Sequence, residues 1–295
     1  MKGHASAAAL LVAACLPLSG GGAEPPGGAP AEAVHLGTFV WDLDAPWFGG
    51  FSGLEVGADG ASFLLLSDRV RLVSGRFRRD ARGVVAGVEA EEPMALPDVE
   101  GNPLRGRRAD SEGLAIIGGR MFVSFEGLAR VREEGRDGAP PRLLPAAPAW
   151  ERLPPNAALE ALAADGEGRL LAVSERPPRG EDGFPVWRLE GETWRELFRI
   201  PDEGGFDPVG ADWGPDGRLY VLFRAFTGLG FRSRLVRFDA DGRGEALFET
   251  ATGVHDNLES VAVWEDAEGL RATMVADDNF RFLQRTEIVD YRLPP

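Results

Sequence analysis

Cysteine is almost absent from the 295-residue chain: Cys15 is its only one, so no disulfide can form within it. Histidine is nearly as scarce. His4, His35 and His255 are scattered, and beside a lone thiol they make no zinc signature. No Gly-x-Ser-x-Gly elbow occurs, which removes one common nucleophile arrangement. The glycines at 57–60 and 118–119 precede no helical pattern and are hairpin turns, not phosphate loops. No apolar run reaches the roughly 20 residues that a membrane-spanning helix needs. No window beyond about 12 residues keeps helical periodicity. Positive charge is outnumbered, 32 Lys and Arg against 47 Asp and Glu, and the formal net charge of -15 repels nucleic acid and anionic membranes. It is compatible with cation binding.

A repeated phrase organises what remains. Asp256-Asn257-Leu258-Glu259-Ser260-Val261-Ala262-Val263 is a carboxylate-rich start, an apolar run and a turn, followed by Thr273 to Ala276 and Asp277-Asp278-Asn279-Phe280. Related phrases begin near 52, 112, 160 and 210. A period of roughly 50 residues is the mark of an array of β units. Asp59-Gly60, Gly118-Gly119, Asp165-Gly166 and Pro215-Asp216-Gly217 divide each phrase as hairpin turns needing positive φ. Two amphipathic strands follow most hairpins, as at 186–189 and 194–200, or 234–238 and 246–248. Four strands per unit is how a β-propeller blade reads. The pattern predicts an all-β propeller of five four-stranded blades. A sixth blade in the longer interval between 52 and 112 is the alternative. The fifth unit ends with one outer strand, 286–293, and an unpaired strand at 35–43 can close the ring from the other terminus.

Residues 1–23 have the polar start, short apolar run and small residues of a secretory signal. Gly21-Gly22-Ala23 suits signal peptidase, whereas Val12-Ala13-Ala14-Cys15 resembles a lipobox that would anchor the protein through Cys15. The expected location is periplasmic or secreted. Residues 24–33 are Pro/Gly/Ala-rich and read as a disordered leader before a propeller domain at 34–295.

First strands of propeller blades line the central axis, so carboxylates at their starts converge on one mouth. These are Glu112, Glu160, Glu259 and, two places later, Asp212. Second strands return to the same side and end in Asp68, Glu126, Glu175 and Asp277, with Arg69, Arg176 and Arg224 beside them. So many like charges need neutralising by arginine, by protonation or by a hard cation, and Ca²⁺ takes six to eight oxygen ligands. Equally, each carboxylate can simply accept N–H bonds between blades. The expected metal ligands are Asp68, Glu175, Asp212, Asp277 and Asp278, the expected phosphate clamps Arg69, Arg176 and Arg224. Glu112, Glu160, Glu259 and His255 are the candidate catalytic groups. His255 is the one histidine near the mouth and titrates near neutral pH, although an exposed loop histidine has the same pattern.

Asp-Ser-Glu-Gly-Leu-Ala (110–115), Ala-Leu-Glu-Ala-Leu-Ala (158–163), Asp-Asn-Leu-Glu-Ser-Val-Ala (256–262) and the stretch from Asp277 to Thr286 resemble the bacterial phytase-like proteins described as having esterase-like activity of phytase. The resemblance runs from about 36 to 293. It implies an exported β-propeller whose acidic residues serve phosphoester hydrolysis, here Asp68, Glu112, Glu160, Glu259, Asp277 and Asp278. The chain departs from the pattern in the first repeat, with Ser52, and in the fourth, where Gly210 stands in place of Glu. Three functions follow: a Ca²⁺-dependent phosphoesterase, a non-catalytic propeller binding a small ligand or a protein, and an enzyme for another substrate such as a lactone. In each the partner is a small molecule or a protein, and a monomer is expected.

Overall fold

A computed structural model describes residues 32–136, 138–280 and 284–295. The expected secretory signal, Cys15 and the expected leader up to residue 31 lie outside them. The chain enters with β1 (Val34–Trp41). Blade 1 is β2 (Phe51–Val56), β3 (Ser62–Ser67), β4 (Arg71–Arg79) and β5 (Val85–Ala90), with a two-residue β6 (Met94–Ala95) also paired to β4. Blade 2 is β7 (Ser111–Ile117), β8 (Arg120–Phe125), β9 (Arg130–Glu133) and a short β10 (Arg142–Leu143). Blade 3 is β11 (Ala161–Ala164), β12 (Leu170–Val173), β13 (Phe184–Glu190) and β14 (Thr193–Ile200). Blade 4 is β15 (Asp207–Trp213), β16 (Leu219–Phe226), β17 (Phe231–Phe238) and β18 (Gly244–Glu249). Blade 5 is β19 (Leu258–Asp266), β20 (Gly269–Ala276), β21 (Thr286–Arg292) and β1, which pairs antiparallel with β21.

The propeller therefore has five blades, and an N-terminal strand closes the ring as the unpaired 35–43 pattern implied. The sixth-blade alternative fails. The interval before β7 holds only β6, a Pro97–Pro103 bridge and a 3₁₀ turn at Gly106–Arg108. One turn also differs from expectation. In the β11–β12 hairpin Gly168, not Gly166, takes positive φ (+73°), because the Asp165 carboxylate accepts the N–H groups of Glu167 and Arg169 and shapes the turn itself. The leader's last residue, Ala33, donates its N–H to Leu247 at 2.9 Å and so already belongs to the body.

Five buried clusters fill the five blade-to-blade interfaces. At the closure, Trp41 of β1 stacks on Phe51 of β2 at 5.4 Å. Each such side chain, fully buried, contributes about 1.5–3 kcal/mol. A buried ion pair seals the same seam: Arg79 of blade 1 donates twice to Asp290 of blade 5, at 2.8 and 2.9 Å. Around the axis the inner strands touch directly. A Cβ on Gly53, Gly113 or Gly210 would come within 3 Å of backbone atoms of the next blade. The small residues shut the axis to a void of about 10 Å³, so the mouth is a basin and not a tunnel.

Candidate active site

A repeated irregularity builds the basin. The ladder between first and second strands slips at the same place in four blades: after Phe51, Ser111, Pro208 and Leu258. Such a bulge leaves a residue unpaired and re-aims its side chain. The residues at the slip are Ser52, Glu112, Val209 and Glu259, and Glu160 sits just before the first paired residue of β11. The counterpart of the repeated glutamate in blade 4 is thus Val209. Gly210, expected at that place, instead aligns with Gly53 and Gly113 on the axis.

The second strands end beside these positions. Asp68, Glu126, Glu175 and Asp277 donate their backbone N–H to Gly50, Asp110, Ala158 and Asn257 at 2.8–3.0 Å. In blade 4 Arg224 takes this place, opposite Asp207. The fourth blade therefore replaces one carboxylate with valine and the other with a cation. Arg224 pairs with Glu175 at 3.2 Å and with Glu259, and donates to the Asn257 side chain at 3.0 Å. Burial works against its charge, but Glu259, Glu160 and Glu175 outweigh that and hold the guanidinium firmly protonated.

Two groups of three carboxylates lie together, Asp110–Glu112–Glu126 and Glu126–Glu160–Glu175, each with one oxygen per residue within 4.8 Å of the others. Glu126 belongs to both. Among the described residues no ion pair reaches Glu112, Glu126 or Glu160. Burial first, and their neighbours second, push all three up: Glu112 and Glu160 well above the usual range, Glu126 to about 8. Burial raises Asp277 to about 9, with help from Glu259, and Asp68 to about 6 against the pull of Arg69. Asp68 keeps one buried oxygen, Oδ1, without a hydrogen-bond partner, and Arg69 Nε stands 4.0 Å from it.

The remaining expected residues fall in different settings. Asp278 is tied up, accepting from Gly50 N–H, Phe280 N–H and Thr286 Oγ1 at 2.9–3.2 Å, so it stitches blade 5 to blade 1. Arg69 is half exposed and lies 3.2 Å over the Phe280 ring. Arg176, also half exposed, pairs with Asp207 at 2.7 Å. Asp212 is not at the mouth. It lies five residues along β15 from Asp207, roughly 17 Å at strand rise, where it accepts from Trp213 and Val263 N–H and faces Glu55. His255 is buried, not an exposed loop residue. Its Nε2 bonds the Tyr291 hydroxyl at 2.8 Å and its ring lies 5.3 Å from that of His35. Burial, then His35, drops it to about 4, so it is neutral at pH 7. Sequence reasoning gave no role to Asp110 and placed Glu126 only among strand ends. The repeat carried both, since each stands where the register puts its counterparts.

A family profile described as "Phytase-like: Esterase-like activity of phytase" matches residues 46–280. No curated protein matches. Among solved structures the chain is similar to the PQQ-bound aldose sugar dehydrogenase of Streptomyces coelicolor, at 14% identity and TM-score 0.46, over 88% of this chain and 98% of that one. It is also similar to a gluconolactonase, XC5397, of Xanthomonas campestris, at 14% identity and TM-score 0.48, over 83% and 72%. A nidogen/laminin complex shares 16% identity at TM-score 0.44, over 77% and 75%.

Proposed function

The chain belongs to the phytase-like family, and from that premise we propose that it is an exported phosphoesterase working at the acidic mouth with a bound Ca²⁺ ion. The observation that carries this reading is the pair of three-carboxylate groups sharing Glu126. Their all-oxygen donor set, in which only Glu175 is ion-paired among the described residues, fits a hard cation. Asp110, Glu112, Glu126, Glu160 and Glu175 would hold it, with Arg224 bracing Glu175. When bound, the ion supplies positive charge for the phosphate and acidity to water.

The chain's own groups divide the rest. Asp68, at about 6, is ionised near neutral pH and accepts a proton from the attacking water. Asp277, at about 9, keeps its proton and gives it to the departing alcohol. The water oxygen bonds to phosphorus as the ester P–O bond breaks, so one proton enters at Asp68 and one leaves from Asp277. Arg69 and Arg176, exposed at the rim, meet the phosphate first. Arg224 keeps its carboxylate partners in place and is not a clamp. Export rests on the pattern of residues 1–23.

The second reading is a ligand-binding propeller without turnover. It is favoured by Arg224 and by the raised carboxyls, which let the mouth stay neutral with no cation. Hydrolysis of a phosphomonoester and a phosphodiester with and without Ca²⁺, in the wild type and Glu126→Gln, separates the two. The phosphoesterase reading expects Ca²⁺-dependent turnover that falls at least about tenfold in the variant, which loses a ligand charge. Ca²⁺ binding without turnover of either ester favours the second.

A further inference from the structure

Blades 1 and 2 pack tightly over the half of their interface toward the mouth, where Leu66, Leu72, Leu114, Val123 and Phe125 cluster. Toward the opposite end the interface opens into a groove of about 880 Å³, within the usual range for a small-molecule site. The strand register accounts for the opening. Blade 1 lays a row across its sheet: Glu55 pairs with Leu64 and Leu64 with Ser74, whose carbonyl accepts the N–H of Glu91 at 2.8 Å. Residues directly opposite on a ladder share a face. The row therefore has a carboxylate at each end, with an apolar side chain and a hydroxyl between them. Blade 2 presents only Ile116 to the groove, and its outer strands β9 and β10, four and two residues long, leave the rest uncovered.

Charge in the groove is mostly negative. Glu55, at the axis end, accepts the Ile116 N–H through Oε1 at 3.1 Å, and no ion pair reaches it among the described residues. Glu91, at the open end, accepts the Ser74 hydroxyl at 2.6 Å and likewise has no ion pair among them. Glu89 lines the same wall and is paired with Arg78 at 3.3 Å. Arg76, the one lining cation among the described residues, is paired with Asp59 at 3.1 Å. Three interstrand spacings separate Glu55 from Glu91, roughly 14 Å. Leu64 stands in the row between them, and Ile116 adds apolar surface from blade 2. Burial, and after it Asp212, holds Glu55 well above the usual carboxyl range. A cation at its second oxygen favours the charged form and takes the place of that proton.

We propose that this groove binds a linear organic dication, an aliphatic chain with an ammonium group at each end, one end at Glu55 and the other at Glu91. Each part of the ligand answers an observation. The carboxylates are too far apart for one metal ion to ligate both. An ammonium group has three donors and no acceptor, which suits two carboxylates with oxygens to spare. The methylene chain lies along Leu64 and Ile116. A phosphorylated or carboxylate ligand is repelled by the same residues. The site stands apart from the acidic mouth and does not depend on the phosphoesterase reading.

The test is calorimetric titration of the full chain with 1,8-diaminooctane, octylamine and 1,8-octanediol, in millimolar Ca²⁺ to occupy the mouth. The wild type is compared with Glu91→Gln, a substitution at an exposed position that leaves the core intact. The expected result is saturable binding of the diamine that weakens at least about tenfold in the variant, ~1.4 kcal/mol. Octylamine, with one charged end, should bind the wild type at least about tenfold more weakly than the diamine, and octanediol should not saturate. Absence of diamine binding overturns the proposal. So does diamine binding that Glu91→Gln leaves unchanged, since the amine then sits elsewhere. Octylamine or octanediol binding as tightly as the diamine refutes the two-ended recognition. Sedimentation of both proteins covers the remaining occupant: a wild-type dimer that Glu91→Gln converts to a monomer means that a second copy fills the groove, and the proposal falls.

Discussion

Replacing Arg224 by glutamine removes the cation that blade 4 supplies to the mouth. Arg224 is 21% exposed and its partners Glu175 and Glu259 are 12% and 16% exposed, so the pairs are largely desolvated. Breaking a buried pair by deleting one partner costs about 3–5 kcal/mol. Here the cost depends on pH, because stranded Glu175 can escape it by taking a proton. Burial already raises Glu175 against the pull of Arg224. Without that cation it titrates higher still in the folded than in the unfolded chain, so the folded state binds more protons and stability falls as pH rises above the usual carboxyl range. The deficit should be full at pH 8, about 3 kcal/mol, and small at pH 5. At about 2–4 °C per kcal/mol for a domain of this size, the metal-free variant should melt roughly 6–12 °C below the wild type at pH 8. Thermal melts of both proteins at the two pH values test this. A variant as stable as the wild type at pH 8, or a deficit equal at pH 5 and pH 8, refutes the reasoning.

Asp290→Asn should cost about 3–5 kcal/mol, because it leaves Arg79, 11% exposed, unpaired at the ring closure and weakens the acceptor for Val85 N–H and Thr273 Oγ1; a denaturant midpoint lowered at unchanged slope checks it, and an unchanged midpoint contradicts it. The metal-free wild type should be more stable at pH 5.5 than at pH 8.5. Glu126 at about 8 and Asp277 at about 9 hold protons when folded that the unfolded chain has already lost, so stability declines through this window. Melts across that range that stay flat or rise would contradict it, and millimolar Ca²⁺ should recover stability at pH 8.5.

Much of the fold was legible because each level of the sequence agreed. The hairpin phrases, their turns and the unpaired strand at 35–43 each pointed to a closed ring, and the phrase alone put Glu112, Glu160 and Glu259 at equivalent places in their blades. The errors have physical causes. The bulge shifts the register by one residue, which turned Val209, an apolar residue in a polar place, into an unnoticed member of the set and made Gly210 look like a gap. Asp212 carried the right chemistry three residues past the bulged Val209, and in a strand that displacement carries it away from the mouth along the axis. His255 lies beside the acidic phrase in sequence, yet the turn before β19 folds it inward against Tyr291. Arg224 reads as a ligand clamp in sequence, where a lone arginine on a strand end shows no partner. Its partners come from blades 3 and 5, 49 and 35 residues away. The sixth-blade alternative arose from a long interval that the chain spends on β6 and a 3₁₀ turn.

The most direct test of the central claim is calorimetric Ca²⁺ titration of the full chain at pH 7.5, run in two buffers of different ionisation enthalpy. The account predicts saturable binding with net proton release, because Glu112, Glu126 and Glu160 are raised by burial and must give up protons to act as ligands. No binding at millimolar Ca²⁺, or binding with no proton release, would contradict it.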